Sequence, residues 1–70
     1  MSQRYIIPSL DRSVQVLGLL AREPKGLTLA DLSRQTDIPK STLFRILTTL
    51  QKHHFVQWSE QDRCFRHGNE

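Results

Sequence analysis

Between Asp37 and Glu60 the chain carries no acidic residue, while Lys40, Arg45 and Lys52 are all basic. Ser41, Thr42, Thr48 and Thr49 place hydroxyls among them, and Phe44 adds an aromatic ring. These residue types share one chemistry. A guanidinium such as Arg45 donates two hydrogen bonds to guanine O6 and N7, hydroxyls serve bases or phosphates, and an apolar ring meets a thymine methyl. A local excess of base over acid is the footprint of a polyanionic partner. Other reactive residues group less well. His53, His54, His67 and Cys64 match no zinc spacing, and adjacent histidines at a helix end point in different directions. Cys64 is expected as a small, half-buried strand residue. No Ser/His/Asp arrangement, glycine-rich phosphate loop or carboxylate pair has usable spacing, so no enzyme, metal or cofactor is expected.

The basic stretch needs a scaffold, and the pattern supplies one. Pro8 closes an N-terminal arm, expected to be mobile over Met1 to Ile7. Ser9 is the expected N-cap of a first helix over about Leu10 to Arg22, with Asp11 in its first turn. Its apolar set, Leu10, Val14, Leu17, Leu20 and Ala21, has the spacing of one helix face. Glu23-Pro24-Lys25-Gly26 breaks it. Thr28 and Asp31 resemble a capping box for a second helix from Leu29 to about Gln35. Thr36-Asp37-Ile38 is a tight turn, and Pro39 suits the first position of a third helix reaching about His53. Leu43, Ile46, Leu47 and Leu50 form its buried stripe. The opposite side centres on Ser41, Arg45, Thr48 and Lys52, with Phe44 and Thr49 flanking. Beyond His54 the period becomes two. Phe55 to Ser59 and Cys64 to Arg66 read as a hairpin around Glu60 to Arg63, with Phe55 and Trp58 covering the core.

Helix, helix, short turn, longer amphipathic helix and hairpin make a winged helix-turn-helix, mainly α with a small β-hairpin: a three-helix core plus a wing. The third helix, at about residues 39–53, then enters a major groove about 12 Å wide. Lys40, Ser41, Thr42, Phe44, Arg45 and Thr48 are the expected readout residues. Thr28 at the start of the second helix, Lys52, and Arg63 and Arg66 on the wing are the expected phosphate contacts. The plain alternatives stay open. Phe44 can pack against the second helix, Lys52 can serve the helix dipole, and the wing arginines can simply guard a strand edge. Val16 and Leu19 lie outside the main apolar face of the first helix. They either pack on other elements or form the interface of a weak homodimer, helped by Tyr5, Ile6 and Ile7.

Composition agrees with this scale. Seventy residues with 37% hydrophobic content support one thin core, 10 Lys+Arg exceed 7 Asp+Glu, and the net charge is +3. No apolar run approaches the about 18 residues of a membrane span. The N-terminus lacks the apolar stretch of a signal peptide, and one cysteine suits a reducing compartment.

Ser9-Leu10-Asp11-Arg12-Ser13-Val14, Leu29-Ala30-Asp31-Leu32-Ser33 and Ile38-Pro39-Lys40-Ser41-Thr42-Leu43-Phe44-Arg45-Ile46-Leu47-Thr48-Thr49-Leu50 resemble the DNA-binding domain of IclR-type bacterial transcription regulators. The run Pro-Lys-Ser-Thr-x-x-Arg-x-Leu-x-x-Leu is its specific part. The resemblance spans about residues 6–68, after an arm at 1–5, with the helix-turn-helix at about 28–53 and the wing at about 55–67. It implies a dimeric cytoplasmic, nucleoid-associated repressor or activator on a near-palindromic double-stranded DNA operator. It also implies a larger C-terminal domain for a small-molecule effector, which has no counterpart in these residues. The family usually has glycine where this chain has Asp37, His54 and Arg63, and alanine at Ser33. Asp and His tolerate left-handed backbone, whereas Arg63 makes the wing turn the departure to check. The rival expectation from another class is a winged helix that docks on an acidic protein without reading DNA.

Overall fold

A computed structural model describes residues 3–68. Met1 and Ser2 of the expected arm lie outside the described residues, as do Asn69 and Glu70. The order is a 3-10 turn at Gln3–Tyr5, then helices α1 (Pro8–Ala21), α2 (Leu29–Thr36) and α3 (Lys40–Lys52), then strands β1 (Val56–Ser59) and β2 (Cys64–His67). It is a winged helix-turn-helix. The short turn at Gln3–Tyr5 gives part of the arm regular structure that its composition did not announce.

α1 starts two residues earlier than its capping signal suggests. Pro8 occupies the first helical position after an extended Ile7, and Ser9 lies inside the helix rather than capping it. Proline needs no N–H there and its φ is already helical, so it outcompetes the serine as a start signal. The capping box of α2 forms as read. Asp31 N–H donates to Thr28 Oγ1 at 3.0 Å, and Thr28 N–H donates to Asp31 Oδ2 at 3.1 Å. Asp31 also pairs with Arg34 at 2.6 Å. The Thr28 backbone N–H first, then the Thr28 side chain and the Arg34 guanidinium, hold the Asp31 carboxyl below the usual carboxylate range. Pro39 precedes α3 as its cap, with its carbonyl accepting from Leu43 N–H at 2.9 Å. α3 ends in a Schellman arrangement: Phe55 N–H reaches Leu50 O at 2.9 Å and His54 N–H reaches Gln51 O at 3.0 Å.

Three non-glycine residues sit in left-handed backbone: Asp37 at φ 62, His54 at φ 67 and Arg63 at φ 56. They are the three positions where the resembled family has glycine, so the turns keep their geometry and the side chains bear the strain. Arg63 has no short polar side chain to ease it, and left-handed backbone costs an ordinary residue about 1–2 kcal/mol. Arg63→Gly is therefore expected to stabilise the domain by about 1 kcal/mol, a rise of about 4–8 °C in Tm, read by thermal melting. An unchanged or lower Tm would show that the wing turn is not strained.

β1 and β2 pair antiparallel, with Trp58 opposite Phe65 and Ser59 opposite Cys64. Leu27 adds a third, single-residue rung: its N–H donates to Phe65 O at 2.9 Å, and Phe65 N–H returns to Leu27 O at 2.8 Å. This rung ties the segment between α1 and α2 to the wing. Gly26 makes the approach possible at φ 93, since a Cβ there would lie 2.7 Å from both Cys64 Sγ and Phe65 O. Cys64 is buried, its thiol directed at Lys25 O.

The core gathers Val16 and Leu20 of α1, Leu27, Leu32 of α2, Ile38 in the turn, Leu43, Ile46 and Leu47 of α3, and Val56 and Phe65 of the wing. Two sequence expectations fail here. Leu10 and Val14, assigned to the buried face of α1, are 57% and 58% exposed, while Val16, assigned to a dimer surface, is 0% exposed. Leu19 is half-buried and packs against the same core. The buried side is turned by about 100° from the apolar stripe read along the sequence. α1 carries apolar residues around more than half its circumference, and it rests on α2, α3 and β2, which together select the Val16 side. In the wing, Val56 and Phe65 fill the core, whereas Phe55 is 54% and Trp58 38% exposed. Trp58 covers only the outer edge, its ring tilted against Phe65 at 4.8 Å between centroids.

Candidate nucleic-acid interface

α3 buries Leu43, Ile46 and Leu47 and turns its other side outward. Ser41, Arg45, Thr48 and Lys52 are all exposed along that outer side, and Lys40 is exposed at the first helical position. The charges are free. Every ion pair among the described residues involves Arg34, Arg63 or Arg66, leaving Lys40, Arg45 and Lys52 without a carboxylate partner. In water such unpaired cations attract phosphates over about a Debye length, and no internal partner has to be displaced first.

The two flanks of this stripe differ. Phe44, 58% exposed, lines a cleft with Gln51, Trp58 and Phe65 on the wing side, so it faces the wing rather than packing against α2. Thr42 is half-buried on the α1 side, where Arg45 and Thr49 join Ser9 and Arg12 around a groove of about 500 Å³. The Thr49 hydroxyl is spent on Arg45 O at 2.8 Å, which leaves the Arg45 side chain untouched.

Two of the expected phosphate contacts, Thr28 and Arg66, already have partners within the fold. Thr28 Oγ1 accepts from Asp31 N–H in the capping box, which leaves its own O–H free, but the Asp31 carboxylate stands at the positive end of α2. A phosphate would meet a like charge there. Arg66 is half-buried and its guanidinium is bound to Asp62, so it braces the hairpin instead of reaching outward. Arg63 is different: it is exposed, and its pair with Glu60 at 3.6 Å is the weak, screened kind. Lys52 and Arg63 remain available for backbone contact.

Arg12 and Ser9 are not distinguished by the apolar periodicity of α1, which reports packing alone. Their signal is position. Arg12 lies one helical turn before Val16, on the same side, and the first two turns of α1 carry no buried side chain. Once Val16 marks the inward face, Arg12 must project along α3 beyond the end of the core.

The IclR helix-turn-helix domain model matches residues 9–60. The chain belongs to the IclR family. The HTH-type transcriptional regulator XynR of Escherichia coli K12 is 33% identical over 90% of this chain and 25% of its own length. The transcriptional repressor IclR of the same organism is 35% identical over 73% of the chain and 19% of its own. The solved structure of an IclR transcriptional regulator from Alicyclobacillus acidocaldarius superposes with a TM-score of 0.86 at 32% identity, covering 93% of this chain and 26% of that one. The chain thus spans about a quarter of the length of these full proteins. Among the described residues of this IclR domain, no three His, Cys, Asp or Glu side chains group to hold a metal, and no helix is long and apolar enough to cross a membrane.

Proposed function

We propose that this IclR domain is the sequence-reading part of a transcription regulator and binds double-stranded DNA through α3. The observation that carries the proposal is the exposed, unpaired stripe of Lys40, Ser41, Arg45, Thr48 and Lys52 on a helix anchored from behind by Leu43 and Leu47. A helix of about 10–12 Å diameter fits a major groove about 12 Å wide. Lys40, Ser41, Arg45 and Thr48 then face base edges, with Thr42 and Phe44 at the two edges of that face, while Lys52 and Arg63 meet phosphates, Arg63 from the wing or in the adjacent minor groove.

A near-palindromic operator follows from a weak homodimer. Its support is the exposed apolar strip of Tyr5, Ile6, Ile7, Leu10 and Val14, which the core leaves uncovered. The working unit extends over residues 6–68. A small-molecule effector would act through sequence outside these seventy residues, and the regulator would work in the bacterial cytoplasm at the nucleoid.

The test is a salt-dependent titration with a random duplex pool, followed by selection of the bound sites. Duplex binding at low salt that fades as salt rises, and an enriched two-fold sequence, support the proposal. No binding to any duplex at low salt sinks it in favour of docking on an acidic protein.

A further inference from the structure

We propose that the groove between the start of α1 and the near flank of α3 is a phosphate site, in which Arg12 and Ser9 hold one backbone phosphate of the duplex that α3 reads. The inference rests on α3 being the duplex-binding helix and adds a third element to that interface. A helix seated in a major groove has a sugar-phosphate strand along each flank, since its diameter nearly matches the groove width. On one flank of α3 stands the wing, with Trp58 beside Phe44 and Gln51. On the other stands the groove, where Thr42 and Arg45 of α3 face Ser9 and Arg12 of α1.

The lining suits an anion. Arg12 and Arg45 both border the groove, neither is in an ion pair, and no carboxylate is among the residues that line it. Asp11 follows Leu10 directly in sequence but lies about a quarter-turn away from Arg12 around the helix and off the lining. The Ser13 hydroxyl is committed to Ser9 O at 2.8 Å, whereas the Ser9 and Thr42 hydroxyls have no partner among the described hydrogen bonds. Leu10 and Ile46 supply apolar wall, as do the aliphatic stems of the polar side chains, with the two guanidinium groups as the charged atoms on the lining. The site is open and shallow, as a contact to a continuous backbone requires. Asp31 sets a negative charge at the start of α2, whereas no carboxylate lines this groove, which adjoins the exposed stripe of α3 directly.

Arg12 is exposed, so Arg12→Gln is expected to fold like the parent, checked by far-UV dichroism and Tm. Titrated against fluorescent duplexes over a range of salt, it is expected to bind every sequence about three- to tenfold more weakly at low salt, with the salt slope reduced by about 0.9. A duplex series carrying one neutral methylphosphonate at successive positions gives the sharper readout. One position is expected to weaken the parent but leave Arg12→Gln unaffected, and Arg12→Lys to recover part of the loss. If Arg12→Gln keeps the parent's affinity and slope while Arg45→Ala loses specific binding, the groove assignment fails and the α3 reading stands. If the parent itself binds no duplex at low salt, the underlying reading fails and the groove with it.

Discussion

Val16→Asp is expected to unfold the domain, whereas Leu10→Asp and Val14→Asp leave it folded. Val16 has no exposed surface and sits with Leu20, Leu32, Leu43 and Leu47, the other fully buried side chains. A carboxylate placed among them has no cation or donor to meet. Burying a polar group without a partner costs about 2–7 kcal/mol, and an ionised one more. A domain of this length has roughly 3.5–10 kcal/mol of total stability, so the substitution consumes most or all of it. Leu10 and Val14 already face solvent, and surface changes stay within about 0.5 kcal/mol. Near-UV dichroism and thermal melting separate the outcomes. A folded Val16→Asp protein, or an unfolded Val14→Asp one, would mean that α1 is rotated from the orientation described. The same pair informs assembly: Val14→Asp is expected to weaken two-site binding on a palindromic duplex while leaving half-site binding intact.

Arg45→Ala is expected to weaken binding to the selected operator by about 1–3 kcal/mol and to flatten base preference at one position. The side chain projects from the middle of the outer stripe, exposed and without an acidic partner. Its removal leaves the fold intact and deletes a bidentate donor. Lys52→Ala is the contrast. Lys52 stands in the last turn, away from the end proposed to probe bases, so its loss should weaken all duplexes alike and lower the salt slope by about 0.9. Affinities measured for operator and single-base variants at several salt concentrations distinguish the two signatures. If both variants bound like the parent, another surface would be the reading face.

These experiments probe parts of the molecule that differ in how legible they were. α3 could be read almost completely, because its apolar stripe is narrow and everything opposite it is polar. The capping box at Thr28 and Asp31, the turn at Asp37 and the existence of the hairpin are likewise local, set by neighbours within a few residues. Even Arg63 follows this rule: the turn requires left-handed backbone, and the chain adopts it with an arginine in place of the family's glycine. The phosphate contacts were less legible. Residue type identified Arg66 as a donor, but whether a donor is free depends on what the fold sets beside it, here Asp62.

The order of elements, the winged helix-turn-helix and the exposed polar stripe of α3 were written in the chain, because each depends on periodicity and on pairing over short separations. The rotation of α1 was not. With apolar residues on two sides, either could be buried at similar local energy, and only the simultaneous packing of α2, α3 and β2 selects Val16 over Leu10. That choice leaves Tyr5, Ile6, Ile7, Leu10 and Val14 uncovered and aims Arg12 along α3. Both are consequences of closing one small core in three dimensions.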